Sequence, residues 1–144
     1  MEWELDPACD VWSQYTRVIV FDGVCHWCNF WVDFVLRRDG RGAFKFATLQ
    51  SDEARRLLSA LHLPRNDFRT FLLVERPRVY GGSTAALRIA RHLPGIWPLV
   101  SLLLVIPRPI RDALYRFVAR HRYRWMGKAD ACRTPAPGER ERFV

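Results

Sequence analysis

Apolar residues fall along this 144-residue chain in short runs whose period changes from one stretch to the next. Val18-Ile19-Val20-Phe21 is a continuous apolar run rich in β-branched residues, the mark of a strand covered on both faces. Asp22-Gly23 ends it, and Gly23 permits a tight change of direction. From Cys25 the period lengthens. Trp27, Phe30, Trp31, Phe34 and Val35 recur every three or four residues, which predicts a helix with one greasy face, stopped by Gly40 and Gly42. Phe44 to Leu49 alternates imperfectly and reads as a second strand. Ser51 is expected to cap the next helix, with Asp52 and Glu53 in the first turn where acidic groups suit the dipole. Leu57, Leu58 and Leu61 form its buried stripe, and Pro64 ends it. Thr70 to Val74 predicts a third strand, Arg76-Pro77-Arg78 a turn, and Val79-Tyr80 a short fourth strand broken by Gly81-Gly82. Ser83 is then expected to cap a helix carrying Ala86, Leu87, Ala90 and Leu93.

The order is strand, helix, strand, helix, strand, strand, helix. Its first part is a βαβ unit with the usual right-handed crossover, and the later strand pair is a hairpin. This is the order of a thioredoxin-like α/β fold: a mixed four-stranded sheet flanked by helices, here with a helical C-terminal extension. In that extension Ile110, Leu114, Phe117, Val118 and Trp125 share one stripe, and Arg116, Arg120 and Arg124 lie four apart on another. The regular spacing predicts a core-packing helix with a solvated basic face. The apolar stretch from Ile96 to Ile106, interrupted by Pro98 and Ser101, falls short of the ~20 residues of a membrane span and reads as a buried helix. One domain is expected over residues 15–133, with an N-terminal arm at 1–14 and a flexible tail at 134–144.

Composition changes this picture in two ways. The chain is 49% hydrophobic, enough for a real core at this length and too much for a disordered chain. Its formal net charge of +8 favours loose association with anionic surfaces. Peripheral contact with an anionic membrane is one such reading, since basic residues follow the apolar stretch at once. Specific nucleic-acid binding is not expected, because aromatics interleaved with arginines near the C-terminus form no recognised nucleic-acid motif. The acidic opening MEWELDPACDVW lacks the basic start and apolar stretch of a secretory leader, so a cytoplasmic location is expected. Thiols there stay reduced, and a close cysteine pair points to redox or metal chemistry rather than a structural bridge.

Four cysteines are present: Cys9, Cys25, Cys28 and Cys132. Cys25 and Cys28 stand three apart, after a predicted strand and at the start of a predicted helix. That spacing fits both sulfurs into one helical turn. Unsatisfied N–H groups at a helix start favour thiolate over thiol. Cys25, the first of the two, is the expected nucleophile, and Cys28 the resolving thiol. His26 either favours the Cys25 thiolate when protonated or is a solvent-facing bystander. Trp27 either shields the pair and meets the partner or simply packs. Asp22 either relays a proton from a buried position or only forms the turn before Gly23. Half of a zinc site is an alternative, but no second close Cys/His pair exists, and His62, His92 and His121 need not converge with the isolated Cys9 and Cys132. A pair of inert buried cysteines is the remaining alternative. No cofactor is expected.

The segment VIVFDGVCHWCNFWVDFVLRRD, with its Asp-Gly-x-Cys-x-x-Cys opening, resembles the start of the DCC family of predicted thiol-disulfide oxidoreductases. The resemblance continues through FKFATLQS, GGSTAALRIA and IPRPIRDALYRFVARHRYRWMGKADAC, covering about residues 17 to 135. It implies redox use of Cys25 and Cys28, and a shared framework that includes Asp22, Gly23, Ser83 and the Arg122-Tyr123 region. Cys132 resembles the family's late cysteine. Thioredoxins carry a cis-proline before the third core strand. Here Arg69-Thr70 stands in that place, so Arg69 or Thr70 is a candidate to face the sulfurs. The function expected is exchange of the Cys25/Cys28 dithiol with disulfides in a partner protein, reset by an external reductant. The alternative is a non-catalytic interaction module using the basic C-terminal face.

Overall fold

A computed structural model of the chain describes residues 2–23, 26–39, 42, 44–63, 71–126 and 142–144. Its centre is the strand the apolar run foretells. Strand β2 (Val18–Phe21) is buried along its whole length. Strand β1 (Glu2–Glu4) precedes it, and helix α1 (His26–Arg38) leads from it to β3 (Lys45–Thr48), which pairs parallel to β2. Helix α2 (Asp52–Ala60) crosses to β4 (Leu72–Glu75), which runs antiparallel to β2 and forms a hairpin with β5 (Arg78–Gly81). The architecture is mixed α/β and consistent with a thioredoxin-like fold.

The sheet has five strands rather than the expected four, in the order β1-β5-β4-β2-β3. The extra strand comes from the N-terminal arm, which pairs antiparallel with β5 through Glu2↔Tyr80, Trp3↔Val79 and Glu4↔Arg78. Gly81 makes room for it: a Cβ there would lie 2.8 Å from Cζ3 of Trp3. The arm continues inward, burying Leu5, Val11 and Trp12. Arg76 fastens it by donating to the carbonyls of Cys9 (2.6 Å) and Val11 (3.2 Å).

Strand alternation divides the core. Val18, Val20, Leu72 and Val74 face α2 and its Ala54, Leu57 and Leu58. Ile19, Phe21 and Leu73 face the other layer, with Cys28, Val32 and Val35 of α1. That layer also holds α3 (Gly82–Arg91). Ser51 caps α2, its Oγ accepting from the Ala54 N–H at 3.2 Å. Ser83 is not the cap of α3. That place falls to Gly81, without a side-chain bond, because β5 runs directly into the helix and Gly82 makes the turn at φ 63°. Pro64, expected to end α2, lies outside the described residues.

Beyond α3 the chain forms a short helix α4 (Trp97–Val100), a 3-10 turn (Ser101–Val105) and the long helix α5 (Arg108–Met126). The Ile96–Ile106 stretch is not the buried helix expected: Ile96, Leu99, Leu102 and Val105 are all more than half exposed. The α5 stripe is likewise not core. Ile110, Leu114 and Phe117 face solvent, and Arg111 is the residue turned inward. No helix among the described residues is long and apolar enough to cross a membrane.

The expected flexible tail ends in contact with the sheet. Phe143 bridges in parallel to Phe46 on β3, and the Val144 N–H donates to the Phe46 carbonyl at 2.8 Å. An edge strand offers unpaired backbone groups, and this segment takes them up. The Phe143 ring packs on Phe21 and Phe46. Arg142 closes the contact, reaching the buried Asp39 carboxylate and the Phe44 carbonyl.

Candidate functional site

The C-terminal end of β2 and the first turn of α1 meet at one edge of the sheet, the edge where open α/β proteins carry their ligands. Three side chains shape this turn: Asp22, already a candidate from the sequence, and Gln50 and Asn29, which sequence reasoning missed. Asp22 is buried. Gln50, in the turn after β3, donates from Nε2 to Asp22 Oδ1 at 3.0 Å and accepts from the Gly23 N–H at 3.1 Å. Asn29, one turn into α1, donates from Nδ2 to the Gly23 carbonyl at 3.1 Å. Both backbone polar groups of Gly23 are thereby held by side chains. The burial of Asp22 removes the reading of it as an exposed turn former.

Cys28 lies in the first turn of α1 and is only 6% exposed, packed in the layer that holds Phe21, Val32 and Leu73. Phe71, just ahead of β4, packs against the same layer and meets Tyr115 of α5 with ring centroids 5.9 Å apart. His26 is exposed at the helix start. Cys25, Arg69, Thr70 and Cys132 lie outside the described residues, as do the side chains of Trp27 and Ser83. Among the described residues, Asn29 Oδ1 is buried with no hydrogen-bond partner, one position after Cys28.

Further along α1, Phe30 and Trp31 are 51% and 41% exposed, although the periodicity placed them on the greasy face. The helix buries Val35 as expected, together with Cys28 and Val32. The aromatic residues stack edgewise along the surface: Phe30 on Trp31, Trp31 on Phe34, and Phe34 on Trp97 at 4.7 Å. They run from just past the cysteine motif to α4.

No group of three or more His, Cys, Asp or Glu able to hold a metal ion is found among the described residues. A cluster of charged groups lies at the opposite end of β4. There Glu75 accepts from Arg17 at 2.9 Å and Arg88 at 2.7 Å, with His92 Nε2 3.6 Å away. Burial alone would raise the Glu75 carboxyl. Hydrogen bonds from Arg88 and Arg17, with their charges, outweigh it and hold the group below its usual range. Burial and the Arg17 charge push His92 down, against the pull of Glu75. This cluster joins β4 to α3 and to the start of β2, far from Cys28 along the strand. A hollow of about 510 Å³, wide open to solvent, lies on the α2 face beside Cys9, Asp10 and Arg56. It too is remote from Cys28.

The Gln50 contacts escape sequence reading because their partners are remote, whereas Asn29 lies only six residues from Gly23 and is marked by no motif of its own. Gln50 is 27 residues from Gly23. The one local signal was a polar residue left between a strand and a helix cap.

The sequence profile of the DCC1-like thiol-disulfide oxidoreductase family matches residues 19–128. The chain is 43% identical over 128 residues to the uncharacterized protein YuxK of Bacillus subtilis (strain 168), covering 89% of this chain and 93% of that protein. It is 35% identical over 133 residues to the DCC family protein At1g52590, chloroplastic, of Arabidopsis thaliana, covering 92% of this chain and 77% of that one. No solved structure is a significant match. The family supports a thiol-disulfide oxidoreductase role in general terms. With the profile spanning most of the fold and both relatives aligned over nearly its whole length, the chain belongs to the DCC1-like thiol-disulfide oxidoreductase family.

Proposed function

We propose that this protein reduces disulfides in a partner protein through the pair Cys25 and Cys28. The observation that carries the reading is the placement of Cys28: buried in the first turn of α1, at the end of β2, beside a turn clamped by Gln50 and Asn29. A shielded second cysteine suits the resolving role, and the residue three before it is then the attacking thiol. The Cys25 thiolate attacks one sulfur of the partner disulfide. That bond breaks, a Cys25–partner disulfide forms, and the leaving sulfur takes up a proton. Cys28 then loses its proton and attacks the Cys25 sulfur. This releases the second partner thiolate, which is protonated, and leaves Cys25–Cys28 as a disulfide. Two electrons and two protons have passed to the partner. A dithiol reductant from outside returns the pair to its starting state, so the reading needs a reducing compartment such as the cytoplasm. Asp22 is the proposed acceptor for the Cys28 proton, and His26 the exposed group that favours the Cys25 thiolate when charged.

The test is disulfide reduction by the purified reduced protein, with insulin and with oxidised glutathione as substrates. Wild type is expected to reduce at least one, Cys25→Ser to fall to background, and Cys28→Ser to accumulate a mixed disulfide through Cys25 that mass spectrometry detects. Undiminished activity in Cys25→Ser, or no exchange with either substrate, overturns the assignment. Alkylation of Cys25 followed against pH is expected to report a thiolate pKa below the ~8.5 of a free cysteine.

A further inference from the structure

Of the twelve large apolar residues exposed among those described, ten fall between Ile96 and Trp125. They are not scattered. Ile96, Leu99, Leu102 and Val105 are 71%, 65%, 65% and 85% exposed, and the chain passes from them directly into Ile110 and Leu114 at 57% and 66%. From Leu93 to Pro107 the sequence has no charged residue. So many exposed large apolar residues gathered in one stretch of chain mark an interaction site.

The orientation of α5 keeps this surface outward. Arg111 is 8% exposed, its Nε donates to the Ile106 carbonyl at 2.9 Å, and its Nη1 lies 3.5 Å from Thr84 Oγ1 on α3. Tyr115, one turn on, meets Phe71. Rolling the helix to bury Ile110 and Leu114 would take the Arg111 guanidinium off the carbonyl it binds. The helix is therefore anchored by an arginine with its leucine side facing solvent.

The rim of the apolar surface is basic. Arg116, Arg120 and Arg124 are exposed at i, i+4 and i+8, a row that flanks Leu114 and Phe117. Asp112 is the single acidic residue in α5. An apolar helical face bordered by arginines, with a tryptophan (Trp125, 49% exposed) near its end, is the pattern of a helix lying in a lipid interface. We infer that α4, the 3-10 turn and the outer face of α5 dock on an anionic bilayer surface, the apolar residues entering the headgroup boundary and the arginine row meeting lipid phosphates. Charge complementarity selects this occupant. A second copy of the chain would bring the same arginine row to the contact, whereas anionic headgroups supply the opposite sign. No described helix can span the bilayer, so the protein lies on it. This inference stands apart from the dithiol chemistry.

Vesicle flotation with the full chain tests it, comparing phosphatidylcholine alone with phosphatidylcholine containing phosphatidylglycerol at low salt. Wild type is expected to float with the anionic vesicles and far less with the neutral ones. Arg116→Gln, Arg120→Gln and Arg124→Gln are each expected to weaken binding about fivefold. Leu102→Asp with Val105→Asp is expected to weaken it tenfold or more while leaving the urea midpoint unchanged, since both side chains are already in solvent. Three results overturn the inference: no flotation with anionic vesicles by a folded protein; flotation unaffected by the Leu102/Val105 pair, which would be adhesion by charge alone; or a concentration-dependent dimer, abolished by the same pair, in a protein that does not float.

Discussion

Gln50 shows how much of the candidate site depends on single side chains. One amide bonds to Asp22 and to the Gly23 N–H at once, and so ties the turn after β3 to the turn before α1. Gln50→Ala removes both bonds, and we expect a loss of about 1–2 kcal/mol in urea unfolding together with slower exchange at Cys25. Unchanged stability and rate would mean the turn holds itself. Glu75 and His92 act on pH dependence. The folded carboxyl lies below its usual 4.5, so its stabilising contribution is complete above that value and is lost as pH falls through the folded pKa. The imidazole is lowered from 6.5, so the fold disfavours its charged form, and stability drops as pH falls from 6.5 toward the folded value. Both slopes have the same sign. Urea midpoints are expected to decline below about pH 6.5 in wild type and less so in His92→Gln. A second decline, below about pH 4.5, is expected to be blunted in Glu75→Gln. A His92→Gln protein with the wild-type slope near pH 6 would assign that decline to another group.

At the scale of elements, what is readable from sequence is what neighbours along the chain decide. The apolar run of β2 needed no partner to be recognised, and Ser51 with Asp52 and Glu53 announces α2 through groups within one turn of each other. β1 was missed although Glu-Trp-Glu does alternate, because three residues are too few for a period of two to stand out. Its pairing depends on a Trp3 ring covering Gly81. Gly81→Ala places a methyl 2.8 Å from that ring. We expect it to push β1 off the edge, costing about 1–2 kcal/mol and red-shifting the fluorescence of Trp3. A thermal midpoint equal to wild type would show that the ring swings aside without loss. In α1 the apolar spacing gives the helix and the inward place of Val35, but not the outward place of Phe30 and Trp31. With aromatic residues on two adjacent sides, the spacing alone does not choose between Phe30 and Val32.

For the whole molecule, the closing contact joins the C-terminal residues to the end of α1 and to β3. Arg142 pairs with the buried Asp39, 103 residues earlier, while Phe143 covers the edge of β3. Arg142→Ala removes the charge partner of a carboxylate held in the interior, and we expect a loss of about 3 kcal/mol, measured by urea unfolding. A change under a few tenths would mean that the remaining contacts of Asp39 suffice. The sequence by itself determined the order of the thioredoxin-like core, the cap of α2, the cysteine spacing and the family. Each of these is written in local periodicity or in a short motif. Tertiary structure alone decided the fifth strand, the Gln50 clamp, the seat of the C-terminal residues and the outward roll of α5. The physical reason is common to all four. A hydrophobic stripe or a polar side chain states what a residue can bury or bond, but the chain must fold before the surface that accepts it exists. For the stripe of α5, Arg111 took the inner place by finding a carbonyl there, and left the apolar residues to face outward.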